Sequence, residues 1–188
     1  MTGPMNKANQ LCMACGMCCD GTMFKTATVE AEENQQVIST GLIVNEKLGK
    51  FSFDQPCKFY CNNQCSIYIQ RPPVCTNFRC QLLKKLNKDE ISLEVALEKV
   101  TMVRALQKGL AELMPNAKHR SITSAEVYEM AATIDQQDIS QRKQHAIFLM
   151  LATKFIGILT DHFWRKVKPN SNAEAVAKDI LQNPNHKM

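Results

Sequence analysis

The sequence predicts a mainly α protein in which a cysteine-rich metal-binding region of short strands and loops packs on a C-terminal helical bundle. Three observations carry that expectation. All nine cysteines lie between Cys12 and Cys80; the chain before about residue 81 is rich in turns and short β-branched runs; and the chain beyond it reads as successive capped helices. Two regions follow, 1–81 and 82–188, and 188 residues with 45% apolar content suffice for both to form one compact unit.

After the first cysteines, GTMFKTATV has the composition of a short strand. EAEENQQVIST then reads as a short, acidic-fronted helix that stops at Gly41, and KFSFDQPC alternates Phe51 and Phe53 as a strand. CSIYI is expected as another strand, ended by Arg71, Pro72 and Pro73. A helix is expected from about Val74 to Asn87. Ser92 is placed to cap a helix with Leu93, Leu97, Val100, Val103, Leu106 and Leu110 on one face, closed by Pro115. Thr123 and Glu126 have the spacing of a capping box for a helix to Asp135. Asp138 and Gln141 start a long helix to about Lys168, with Ile147, Leu151, Phe155, Ile158 and Leu159 inward. A last helix opens at Asn172 and stops at Pro184.

The apolar run Ala146–Leu159 is interrupted by Thr153 and Lys154 and is short for a bilayer, so it is expected in a core rather than as a membrane span. The opening MTGPMNKANQLCMAC lacks the apolar stretch of a secretory signal, so a cytoplasmic location is expected. In that compartment, clustered cysteines serve as metal ligands or redox thiols more often than as disulfides. Charge is uneven. Residues 1–56 sum to −2, whereas residues 57–88 carry six Lys/Arg and no acid. A basic segment is a common footprint for nucleic acid. Here it coincides with five cysteines, so compensation of thiolate charge is the preferred reading and a nucleic-acid partner is not expected.

The cysteines run C12-x2-C15-x2-C18-C19, C57-x3-C61-x3-C65 and C75-x4-C80. A CxxC pair can turn two sulfurs toward one ion, and Gly16 can take the positive φ that such a turn needs. CxxCxxC extends the set to three ligands, the ferredoxin spacing for a [4Fe–4S] cluster completed by a remote cysteine. Neighbours in an extended chain point to opposite sides, so Cys18 and Cys19 are expected to serve different metal atoms. Two adjoining sites or one polynuclear site would satisfy this.

CMACGMCC at Cys12–Cys19, followed by PCKFYCNNQCSIYIQRPPVCTNFRC at Pro56–Cys80, resembles the YkgJ-type cysteine-cluster family, the CxxCxxCC zinc- or iron-chelating domain. The resemblance implies eight metal-binding cysteines: Cys12, Cys15, Cys18, Cys19, Cys57, Cys65, Cys75 and Cys80. It leaves Cys61 as a spare thiol, and Thr76 stands where the family usually has Arg. Flagellin lysine N-methylases carry a similar cysteine pattern, which implies an iron–sulfur cluster and S-adenosylmethionine chemistry in one branch. This chain lacks a Gly-rich loop placed for a methyl donor, so methylation is not carried over.

Arg71 is a candidate hydrogen-bond donor to thiolate sulfur, Tyr68 a packing residue at the edge of the site, and Met13 and Met17 shields against water. His119, His145, His162 and His186 have no ligand spacing. No acid/base pair or catalytic residue stands out. The expected cofactor is a [4Fe–4S] cluster, with Zn2+ as the alternative. The expected role is a redox or metal-dependent accessory protein with a protein or redox partner; the alternatives are a zinc-binding structural module and a cluster-dependent methyltransferase-like enzyme.

Overall fold

A computed structural model describes residues 6–62, 64–115, 117 and 121–164. In chain order the elements are α1 (Lys7–Cys15), β1 (Thr26–Val29), α2 (Asn34–Ser39), β2 (Asn45–Lys47), β3 (Lys50–Asp54), β4 (Tyr60–Cys61), β5 (Gln64–Cys65), α3 (Pro73–Asn77), α4 (Gln81–Asn87), α5 (Leu93–Leu113), α6 (Ser124–Asp135), α7 (Ile139–Gln144) and α8 (Ala146–Ile158). Short 3-10 turns lie at Ala31–Glu33 and Tyr68–Gln70, and a π turn at Leu159–Phe163. The chain is mainly α, as expected. The helix expected from Asn172, and His119 and His186, lie outside the described residues.

Two compact units divide the described chain, one of residues 6–15 with 80–164 and one of residues 16–79. In the first, α5 packs on α1, α4 and α8, and α6 packs on α7 and α8. The buried stripe of α5 is Ala96, Val100, Val103, Gln107 and Leu110. Leu93, Leu97 and Leu106 are only partly covered, so the stripe is turned by about one position from the expected face, and a glutamine sits in it. On α8 the buried residues are Phe148, Ala152 and Phe155, followed by Leu159 and Phe163 of the π turn. Ile147, expected inward, is 64% exposed. A helix apolar on nearly every side offers no sequence contrast by which to orient it.

Helix starts follow the sequence closely. Ser92 Oγ accepts from Val95 N at 3.2 Å. Thr123 and Glu126 form the full reciprocal box, Glu126 N to Thr123 Oγ1 at 3.1 Å and Thr123 N to Glu126 Oε2 at 2.8 Å. Asp138 caps α7 through Ser140 N and Gln141 N. The long helix expected from Asp138 to Lys168 is broken, however: His145 (φ −102, ψ 12) separates α7 from α8, and the π turn ends at Trp164, which is extended. Ala146–Phe163 forms 18 consecutive helical residues, long and apolar enough to cross a membrane by length and composition, with one stripe of it buried inside this unit. Met114, which precedes Pro115, is extended and ends α5.

The second unit is built on a three-stranded antiparallel sheet of order β1-β3-β2. Thr26–Val29 and Lys50–Asp54 are the two strands read from sequence, in register Val29 opposite Phe51 and Ala27 opposite Phe53. β2 was not expected, because NEK is fully exposed and polar; it forms as the partner of β3 across the Leu48–Gly49 turn, where φ is 53° and 73°. The inner face carries Val29, Val37, Leu42 and Phe53. CSIYI is not a strand: only Gln64–Cys65 pairs, and Tyr68–Gln70 is a 3-10 turn that leaves Ile69 91% exposed. The helix expected over Val74–Asn87 is likewise two helices, interrupted where Phe78 and Cys80 become extended.

Thr123→Ala should cost about 1 kcal/mol of stability through loss of the cap. The midpoint of urea unfolding followed by far-ultraviolet circular dichroism checks this, and an unchanged midpoint would remove the capping box from the account of α6.

Candidate metal centre

The unit of residues 16–79 brings four thiols together from three separate stretches of chain. Cys19 ends the turn that follows Gly16, with Cys19 N bonded to Gly16 O at 2.8 Å. Cys57 N donates to Cys19 O at 2.7 Å, which joins the first and second cysteine groups through the main chain. Cys65 stands on β5 directly opposite Tyr60. Cys75 lies on α3, where its N–H bonds Pro72 O at 2.9 Å. Cys57 and Cys75 also pack against the Val29–Val37–Leu42–Phe53 cluster, so the small core is one wall of the site.

These thiols act on one another electrically. Burial first, then Cys65, Cys75 and Cys57 and finally Asp20, push the Cys19 thiol up to about 12 from an ordinary 9.0. Burial, followed by Cys57 and Cys65, likewise raises Cys75 to about 12, with Arg71 pulling the other way. Cys57 is raised mainly by burial, while the Phe59 and Tyr60 N–H groups and Lys58 favour its thiolate. Four partly buried thiolates cannot share this volume without a compensating cation. Among the described residues, no three or more His, Cys, Asp or Glu side chains stand at the separation of ligands on a single ion, so the thiols are neighbours at electrostatic range.

The donor set nevertheless suits a thiophilic metal or cluster. Backbone N–H groups already aim at Cys57 sulfur. The Arg71 guanidinium stacks on Tyr68 at 3.7 Å from the ring centroid, and its buried Nε has no acceptor within the described structure. A buried donor beside Cys75 is suited to sulfur carrying negative charge. Tyr68 thus supports the site by holding Arg71. Of the two methionines expected beside the cysteines, Met17 is fully buried and Met13 is half-buried on α1; Met23, not anticipated, brings its Sδ to 3.9 Å from Cys18 Sγ.

Gly16 and Tyr60 explain how the pieces are held. Gly16 has φ 63°, and a Cβ there would lie 2.1 Å from Tyr60 Oη and 2.6 Å from the ring. Only glycine lets the tyrosine close over this turn. Along β4, Tyr60 and Cys61 face opposite sides, so Cys65 shares the Tyr60 side and Cys61 does not. Cys61 is exposed, consistent with a thiol outside the set.

Of the remaining expected ligands, Cys12 and Cys15 belong to the helical unit, one turn apart on α1, where an i, i+3 spacing puts both on one face. The sequence anticipated a loop here. Cys80 is the N-cap of α4, its sulfur accepting from Leu83 N at 3.4 Å. Burial, offset in part by that N–H, and the Cys12 charge raise Cys80 to about 11, so Cys12 acts on Cys80 at electrostatic range within this unit. Cys18 sits in the turn after α1 rather than in an extended stretch. Tyr60, Arg104 and Gln107 escaped the sequence reading; the glycine after Cys15 was the available signal for the first, and nothing in spacing announces the other two.

Two predictions follow from the geometry. Gly16→Ala should lower metal content sharply in the purified protein, measured by elemental analysis; wild-type content would show that the turn tolerates a side chain. In the reduced, metal-free protein, Cys19 and Cys75 hold their protons until about pH 12, whereas the unfolded chain releases them near 9. Stability is therefore complete below pH 9 and falls as pH rises toward 12, because the unfolded state binds fewer protons there. Urea midpoints across that window check the sign, and a midpoint that rises with pH would contradict it.

Residues 11–97 match the CxxCxxCC family, described as a "putative zinc- or iron-chelating domain". No curated protein and no solved structure matches the chain.

Proposed function

We propose, from the premise that residues 11–97 belong to the CxxCxxCC family, that this protein is a thiolate metal protein in which Cys19, Cys57, Cys65 and Cys75 hold one centre. Cys12, Cys15 and Cys80 contribute thiols to a second. The observation that carries this reading is the mutual electrostatic effect of four thiols drawn from residues 19 to 75 into one small unit. Iron in a [4Fe–4S] cluster is the first choice of metal, supported by the Cys12-x2-Cys15-x2-Cys18 run, which has the spacing of cubane ligands. Such a group supplies one-electron chemistry when bound. Zn2+ is the second choice, because tetrathiolate zinc needs no spacing beyond four converging sulfurs.

The role we assign is a cytoplasmic redox or metal-dependent accessory protein that works with a protein partner. Nucleic acid is not the partner. In support, Lys58 favours the Cys57 thiolate, Arg71 favours that of Cys75, and Arg79 is turned onto the carbonyls of Thr76 and Phe78. Lys58 and Arg71 thus act on thiols of their own unit, and Arg79 is held by backbone carbonyls.

Purification without oxygen, followed by a visible spectrum and analysis for iron, zinc and acid-labile sulfide, tests the reading. A brown protein with iron and sulfide supports the cluster. A colourless one with stoichiometric zinc and no sulfide replaces it with the zinc module, and a protein holding neither sinks both. Cys19→Ser, Cys57→Ser, Cys65→Ser and Cys75→Ser should each lose the same fraction of the metal. Cys12→Ser and Cys80→Ser should lose the other fraction, and Cys61→Ser none.

A further inference from the structure

We propose that Arg104, outside the matched residues 11–97, is a positioning residue for the thiol group of Cys12, Cys15 and Cys80. The proposal rests on the metal reading above. Arg104 lies on α5, against which α1 packs. One guanidinium nitrogen, Nη2, donates to the carbonyl of Cys15, and the other, Nη1, donates to Gln107 Oε1 at 2.7 Å. Gln107 is itself only 6% exposed, and its Nε2 donates to Ile122 O at 2.8 Å. A continuous relay therefore runs from the last residue of α1, through two side chains of α5, to the segment that enters α6.

Cys15 is the C-terminal residue of α1, and the carbonyls there have no partner inside the helix. That end of a helix carries partial negative charge. Metal binding requires both Cys12 and Cys15 of this turn in a fixed position as ligands. Arg104 satisfies the carbonyl and brings a permanent cation to the end of the helix that carries Cys12 and Cys15. Gln107 keeps the guanidinium from rotating away. Because its Oε1 is occupied by Arg104 and its Nε2 by Ile122, the amide has one orientation, and the fork of Arg104 inherits it. The helical half of the chain thereby reaches into the cysteine site through one residue.

The test uses the full-length reduced protein loaded with Zn2+ alone, with release to a chromogenic chelator followed over time. Wild type is expected to release zinc in two phases, one of which is absent from Cys12→Ser. Arg104→Gln should accelerate that same phase by about ten- to a hundredfold, the usual effect of removing a group that orients a ligand, and leave the other phase unchanged. Arg104→Lys should recover part of the loss, since it keeps the charge without the fork. Ser92→Ala loses the α5 cap to Val95 N without touching Arg104 or Gln107, so it should lower Tm and leave zinc release as in wild type. Wild-type release from Arg104→Gln overturns the proposal. So does release from Ser92→Ala as fast as from Arg104→Gln, because stability alone would then set the rate. If Arg104→Gln does not fold, the comparison of Arg104→Lys with Ser92→Ala decides by the same criteria. A wild-type chain that takes up no Zn2+ removes the metal reading and this inference with it, whereas zinc uptake with unaltered variants removes this inference alone.

Discussion

The constraint on which the residue 16–79 unit depends is the cost of placing four thiols side by side out of water. Each is raised or surrounded by its fellows, and burial leads the causes at Cys19, Cys57 and Cys75. A protonated thiol is tolerated there as a small apolar group. An ionised one is not, until a cation arrives. The unit's hydrophobic cluster has only Val29, Val37, Leu42 and Phe53 fully buried, with Cys57 and Cys75 at its margin. A core of that size contributes little on its own, and small units of this kind draw on disulfides or metal for the balance. The four thiols come together only when the strands, the hairpin and α3 are in place, and metal binding to ligands assembled in this way is coupled to folding.

The helical unit meets its requirements differently. Its core runs continuously from Leu11 through Leu82 and Leu86 to Val103, Phe155 and Phe163, and its helices begin at side-chain caps. Here the cysteines borrow helix geometry instead of shaping the fold around themselves. Cys12 and Cys15 share a face because they are one turn apart, and Cys80 takes the capping position that a serine would ordinarily fill. The sulfur of Cys80 accepts a backbone N–H before any metal is considered, which favours the thiolate a metal requires.

What could be read in the sequence follows the range of the physics involved. Caps at Ser92, Thr123 and Asp138 are local, acting over three residues, and all three are found. Strands β1 and β3 announced themselves by composition; the grouping of nine cysteines was legible by spacing, and the choice of eight of them came from the family resemblance. The breaks were hidden: nothing in KQHAIF marks His145 as the end of one helix and the start of another, and NFRC carries no glycine or proline to interrupt the expected run. Of the expected α5 face, Val100, Val103 and Leu110 are buried while Leu93, Leu97 and Leu106 are only partly covered; on α8, apolar residues lie on nearly every side, so packing partners decide the orientation. Gln107 reads as a surface residue until Ile122 and Arg104 are seen beside it.

Cys61 and Cys65 show how a long-range contact separates two thiols that spacing leaves alike. Both lie in one short stretch of chain, and only the family resemblance, not spacing, names Cys65 as the ligand and Cys61 as the spare. The β4–β5 ladder pairs Tyr60 with Cys65 and Cys61 with Gln64, so one face of the hairpin carries Tyr60 and Cys65 and the other carries Cys61. Two residue pairs are a weak ladder, and a shift of one residue would bring Cys61 and Cys65 to the same face. Tyr60 resists that shift because its ring is lodged over Gly16, at a position where any Cβ would collide with it. The glycine between Cys15 and Met17 therefore does more than allow a turn. By admitting Tyr60, it holds the hairpin in the register that puts Cys65, and not Cys61, on the Tyr60 face.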